Sequence, residues 1–174
     1  DQGSRFWKEA LTRAGLALAG AILAWGITFA LLFRVPKDRR VARWAAQILA
    51  VLFGFGWGAA NWDTFLRYYQ RVETAVTDPI LGRNTGFYLF VLPWYDALYS
   101  LLIVTAFIAL VASLVGAYLR FNKEGIDVEI FAQRSGGAPK GLGSVYTSAL
   151  ILALALGFGQ YLARFHLLYS AAGV

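Results

Sequence analysis

Four apolar stretches, residues 12 to 33, 44 to 62, 94 to 119 and 144 to 163, constrain this chain more than any other feature. Each can cross a hydrocarbon core of roughly 30 Å, for which a helix needs about 20 residues. They predict an all-α membrane protein with about four transmembrane helices. Composition agrees, since 59% of the 174 residues are apolar and 15% charged, where soluble domains carry about half and about a quarter. The first stretch is not a signal peptide, because signal h-regions run about 7 to 15 residues and end at a small-residue cleavage site.

Polar segments divide the chain into one helical membrane domain over residues 1 to 174, with loops at 34 to 43, 63 to 93 and 120 to 142. Arg34, Lys37, Arg39, Arg40 and Arg43 crowd the first loop against the single acid Asp38. Basic loops stay in the cytoplasm, so 34–43 and 120–142 are expected inside, and 63–93 and both ends of the chain outside, in a bacterial inner membrane. The bias over all loops is modest, nine basic residues inside against seven outside; the density in the first loop decides the orientation. The net charge of +6 serves orientation and lipid contact, and predicts no nucleic-acid partner. The chain has no methionine, so residue 1 is read either as a processed N-terminus or as the start of a piece of a longer protein.

Ala46, Ala50, Gly54 and Gly58 form a small-residue stripe on the second span, and Ala149, Ala153 and Gly157 one on the fourth. Such stripes let helix backbones approach where lipid supplies no hydrophobic drive for association. The "GFGWG" at 54–58 is therefore read as packing, because no strand precedes it and a phosphate loop needs a third glycine at the right spacing. Trp7, Trp44, Trp62 and Trp94 fall at span ends, where amphipathic rings favour the interface, while Trp25 and Trp57 lie deeper. Phe65, Tyr69, Val72 and Val76 recur at helical spacing opposite Arg67, Gln70, Arg71 and Thr74. This pattern predicts an amphipathic interfacial helix in the external loop.

Asp78 before Pro79 suits a helix or turn start, and Gly82 with Asn84-Thr85-Gly86 lets the chain reverse. One helix from Phe87 to Leu119 would be near 50 Å long at 1.5 Å per residue, well beyond the bilayer. Pro93 is expected to divide it, with Leu92 pushed out of the helical region, "FYLFVL" at the interface, and the span starting at Pro93 or Trp94. Ile126, Val128 and Ile130 alternate with acids as in a short strand, followed by a Gly/Ser/Pro-rich linker.

Two of these segments carry a resemblance. Trp62, Leu66, Asp78, Pro79, Gly82, Gly86, Phe87, Tyr88, Phe90, Leu92 and Pro93 match the hallmark of the bacterial membrane proteins of the uncharacterised protein family UPF0182. Tyr161, Arg164, Leu167, Leu168, Tyr169 and Ser170 are similar to a second run of that family. Asn84-Thr85 and Leu81 depart from the pattern, which weighs against a charge-dependent role at position 84. The resemblance implies seven spans and a large external domain, of which this chain would be a fragment covering about four spans, the second to the fifth. It implies no activity.

The residues themselves hold little chemistry. There is no cysteine, hence no thiolate site or disulfide. Asp63, Glu73, Asp78 and Asp96 form no metal or two-carboxylate spacing, and Asp96 reads as a first-turn acid complementing the helix dipole. His166 is the one candidate ligand for a haem or chlorophyll-type ring, yet beside Arg164 and Tyr169 at the membrane edge it reads first as an interfacial hydrogen-bonding residue. Gln47, Thr105, Ser113 and Gln160 are the main polar side chains within the spans and none ionises, unlike most transport pathways. The expectation is a scaffold or accessory subunit, with neither catalysis nor cofactor, in a larger complex such as a respiratory or photosynthetic one, its partners being the lipid bilayer and other membrane subunits. The alternative is the membrane anchor of a transport or cell-envelope protein whose functional domain lies outside this chain.

Overall fold

The computed structural model describes residues 2–33, 40–72, 82–124 and 142–166, with side chains at 7–33, 40–72, 82–119 and 142–166. Its elements are α1 (Gln2–Leu32), α2 (Arg40–Ala60), α3 (Trp62–Tyr69), a π-helical turn (Phe87–Val91), α4 (Leu92–Glu124) and α5 (Gly143–His166). Four segments, Trp7–Leu32, Arg40–Ala60, Phe87–Leu119 and Gly143–His166, are long and apolar enough to cross a membrane. The strand expected at 126–130 and the basic residues at 34–39 lie outside the described residues.

Small side chains explain the tightest contact, between α1 and α2. Ala46, Ala50, Gly54 and Gly58 are all buried. A Cβ built on Gly54 would meet the Gly20 carbonyl oxygen and would stand 2.6 Å from the Ala24 methyl. On Gly58 it would meet the Leu16 carbonyl oxygen and lie 2.8 Å from the Ala17 Cα. The backbones touch here, as the second-span stripe predicts.

α4 lies across this pair. Ala97 and Leu101 pack on Ala24, Ala50 and Trp57 near one end, and Ala109 packs on Leu32 and Ala46 near the other. Trp57 Nε1 donates to the Ala97 carbonyl at 2.8 Å and to Ser100 Oγ at 3.1 Å, so this deep tryptophan ties α2 to α4. α3 turns back beneath the same corner. Phe65 and Tyr68 reach the Trp94 ring at 5.3 and 5.8 Å, while Tyr69 and Val72 stay exposed. The inward face of the amphipathic helix is therefore Phe65 and Tyr68 rather than Phe65 and Tyr69, and the helix ends at Tyr69, before the predicted periodicity does.

α5 packs mainly on α4, with Leu162 and Phe165 against Tyr88 and Leu92, and it buries Ser144, Ser148 and Ala155 as well. The predicted stripe of Ala149, Ala153 and Gly157 faces away from the bundle, and a Cβ on Gly157 would meet nothing within 4 Å. Gly159 decides the orientation, because the Tyr99 ring occupies the space where its side chain would stand.

Pro93 does not divide the helix. Leu92 is helical, with φ −60° and ψ −47°, and its N–H donates to the Phe87 carbonyl five residues back. That wider π turn lies directly before the proline, whose missing donor would break a bond of a regular α-helix. The helix therefore begins ahead of Phe87 and continues to Glu124, so "FYLFV" is helical and the span does not start at Pro93. Asp96 consequently lies well inside the helix rather than in its first turn, and a dipole effect confined to the terminal turn does not explain it.

Among the described residues three buried side-chain atoms, Gln47 Nε2, Ser113 Oγ and Ser148 Oγ, have no hydrogen-bond partner, while the buried threonines satisfy themselves. Thr28 and Thr105 hydroxyls donate to carbonyls four residues back, Ala24 and Leu101, each at 2.7 Å, a common habit of threonine in helices. Thr28 Oγ1 also lies 3.2 Å from Gln47 Oε1, while Gln47 Nε2 has no partner. One hydroxyl proton cannot serve both acceptors, and Ala24 is nearer. Turning the Gln47 amide, so that its N–H donates to Thr28 Oγ1 over the same distance, pairs the nitrogen.

Candidate functional site

The richest cluster of polar and aromatic groups lies where the start of the third span meets the end of the fourth. Gly82 has φ +63°, a left-handed conformation that glycine adopts without Cβ strain. It leads into a turn closed by Asn84, whose side-chain Oδ1 accepts the Gly86 N–H at 2.7 Å and whose carbonyl accepts the Phe87 N–H at 2.9 Å. Asn84 thus caps the start of this helix. A Cβ on Gly86 would stand 2.8 Å from the Val72 carbonyl, so both glycines of the first motif have local backbone reasons.

The π turn then presents Phe87 and Tyr88 to the end of α5. Phe87 and Phe165 rings are 5.2 Å apart, Tyr88 and Phe165 6.3 Å, and Tyr161 and Phe165 5.7 Å. Tyr88, Leu92, Leu162 and Phe165 form a buried apolar cluster. Two guanidiniums cover its edge. Arg164 Cζ stands 3.9 Å from the Tyr161 centroid and 4.5 Å from that of Phe165, with its Nη2 donating to the Tyr161 hydroxyl at 2.7 Å. Arg83 Cζ stands 5.3 Å from the Phe87 centroid.

Beside them His166 Nε2 faces both Asp96 carboxylate oxygens, at 3.0 and 3.2 Å. The nitrogen facing a carboxylate is the one that carries a proton, so Nε2 is engaged in tethering α5 to α4. This pair is the main functional-looking contact that had no sequence signature: its members are 70 positions apart. Among the described residues no group of three or more His, Cys, Asp or Glu is placed to hold a metal ion.

The structure therefore brings the two motifs together: Phe87, Tyr88 and Leu92 pack on Leu162 and Phe165, with Tyr161 and Arg164 beside Phe165 on its own helix. Phe90 and Pro93 are neighbours on the helix of Phe87, while Trp62 begins α3. Asp78, Pro79, Leu167, Leu168, Tyr169 and Ser170 lie outside the described residues.

A family model described as Uncharacterised protein family (UPF0182) matches residues 32–174. A UPF0182 protein of Geobacter sp. strain M21 is 34% identical over 126 residues, covering 72% of this chain and 13% of its own length. One from Synechococcus sp. strain JA-3-3Ab is 28% identical over 177 residues, covering 97% of this chain and 19% of its own length. One from Mycobacterium marinum is 34% identical over 139 residues, covering 67% and 14%. The chain thus spans less than a fifth of the length of these curated relatives. No solved structure matches it.

Proposed function

Because the chain belongs to the uncharacterised protein family UPF0182, whose name carries no activity, we propose from its own geometry that it is a scaffold or accessory part of a larger membrane complex, without catalysis of its own. The observation that carries this reading is the outward face of α5. Ala149, Ala153 and Gly157 run there beside the exposed Tyr146, Leu150 and Leu154, leaving backbone open to close approach by another helix. The interior polar groups are hydroxyls and one amide, which suits packing better than ion transfer. The test is blue native electrophoresis after mild detergent extraction. A band well above the protein's own mass, with co-purifying membrane subunits, supports the proposal; migration as a lone chain refutes it.

The second reading, a membrane anchor for working parts elsewhere in the polypeptide, is favoured by the small share of the relatives' length that the chain covers. Under it, function would survive replacement of the α5 outer face but not loss of the remaining polypeptide.

The proposed placement is the bacterial inner membrane, with 34–43 cytoplasmic and the 63–93 segment outside, supported by the density of basic residues between α1 and α2. With no native cysteine, a single Gly56→Cys, Lys37→Cys or Arg83→Cys reports alone. In intact spheroplasts an impermeant maleimide should label position 83 and spare 37, with 56 as the membrane-embedded control; the reverse pattern inverts the topology.

A further inference from the structure

Among the described residues near the motif junction two ion pairs form, and Arg71 rests on the Tyr68 ring. Asp63 holds Arg67 at 2.8 Å, and Asp96 holds His166. Arg83 and Arg164 have no carboxylate partner among the described residues, yet both are exposed and each is held on one ring of the Phe87–Phe165 pair. Cation–π contact fixes a guanidinium without neutralising it, and a planar guanidinium keeps donors free for a phosphate. Two such cations therefore flank one aromatic pair, with the half-exposed rings of Tyr95 and Tyr161 beside them. The cluster stands at the end of two membrane-length apolar helices, where tyrosine and arginine place an apolar body in acyl chain and a polar tip at the headgroups.

The geometry points to a binding site for the phosphodiester headgroup of an anionic phospholipid, held by Arg83 and Arg164, with Phe87, Tyr161 and Phe165 against its glycerol and upper acyl chains. A free anion would use the two cations but gain nothing from the exposed rings, and a zwitterionic lipid would bring a choline cation towards two guanidiniums. The Asp96 carboxylate, the one acid in this cluster among the described residues, faces His166. This inference rests on membrane insertion and is independent of whether the protein is a scaffold or an anchor.

The test is retention of phosphatidylglycerol against phosphatidylcholine, measured by native mass spectrometry of the purified protein released from mixed nanodiscs. Each basic residue near an anionic lipid surface is worth enough for about a fivefold preference, so the pair supports roughly 30-fold. Wild type should retain phosphatidylglycerol selectively, and Arg83→Gln/Arg164→Gln should lose most of that selectivity. Arg40→Gln/Arg43→Gln makes the same charge change at the opposite end of α2, away from the rings, and should lose much less of it. Equal retention of the two lipids by wild type overturns the site, as does equal loss in both double variants or undiminished selectivity in Arg83→Gln/Arg164→Gln. Displacement of the lipid by millimolar inorganic phosphate overturns the lipid assignment in favour of a free-anion site.

Discussion

The α1–α2 seam makes the sharpest quantitative prediction, through Gly54→Ala. A methyl at position 54 would meet the Gly20 carbonyl and stand 2.6 Å from the Ala24 methyl, so the helices must separate to admit it. Separation loosens the contacts of Ala24 and Ala50, both fully buried, along with the packing of Trp57 against them. Overpacking of this kind costs about 1–3 kcal/mol. Replacing glycine by alanine in a helix also returns up to about 1 kcal/mol of intrinsic propensity, which would mask the cost in a single measurement. Gly56→Ala removes that ambiguity. It lies on the same helix two residues away, with nothing within 4 Å of its added Cβ, so it gains the propensity term without the clash. The difference between the two variants isolates the steric cost, roughly 5- to 150-fold in the unfolding equilibrium constant. It can be read from unfolding in mixed micelles of rising dodecyl sulfate fraction, followed by tryptophan fluorescence. A Gly54→Ala protein no less stable than Gly56→Ala refutes the close seam.

Three further perturbations probe the other contacts. Trp57→Phe removes donation to the Ala97 carbonyl and should cost about 1 kcal/mol in the same assay, with loss of the most buried tryptophan emission. Phe165→Ala empties the ring contacts with Phe87, Tyr88 and Tyr161 and should cost about 3–5 kcal/mol, with increased hydrogen exchange at 87–92. Pro93→Ala restores a donor in a helix that is already continuous, so helicity by circular dichroism and protease access to the 63–93 segment should stay unchanged; a gain in helicity would mean that the proline does interrupt the helix.

What could be read from the sequence was decided by length and by residue size. Span limits of 12–33, 44–62, 94–119 and 144–163 fall within or close to α1, α2, α4 and α5, because a run of about 20 apolar residues leaves a helix little choice of place. The second-span stripe was legible since all four members are small and regularly spaced, whereas which face of α5 turns into the bundle was not, because α5 carries small residues on more than one face. Tyr99 meeting Gly159 selects between those faces, and such a contact between distant segments has no local signal. Pro93 was misjudged for a related reason. Rules for proline describe the α-helix with four-residue bonds, and a π turn satisfies a different set of carbonyls.

The two motifs that mark the family therefore identify a junction of helix ends, and most of their described residues have structural work there. Gly82 supplies a positive φ, Gly86 admits the Val72 carbonyl, and Phe87, Tyr88 and Leu92 build the wall against Leu162 and Phe165. None of these contacts requires a charged side chain. Asp96 and His166 answer each other across the junction, and removing both would leave its apolar wall intact. Arg83 and Arg164 are different, because an exposed cation stacked on a ring contributes little to holding α4 and α5 together beyond what an apolar stem would. The part of the junction in excess of packing is thus a positive charge at the helix ends, supplied by the motif residue Arg164 and by Arg83 outside the motif, and that excess is where a function distinct from folding is to be sought.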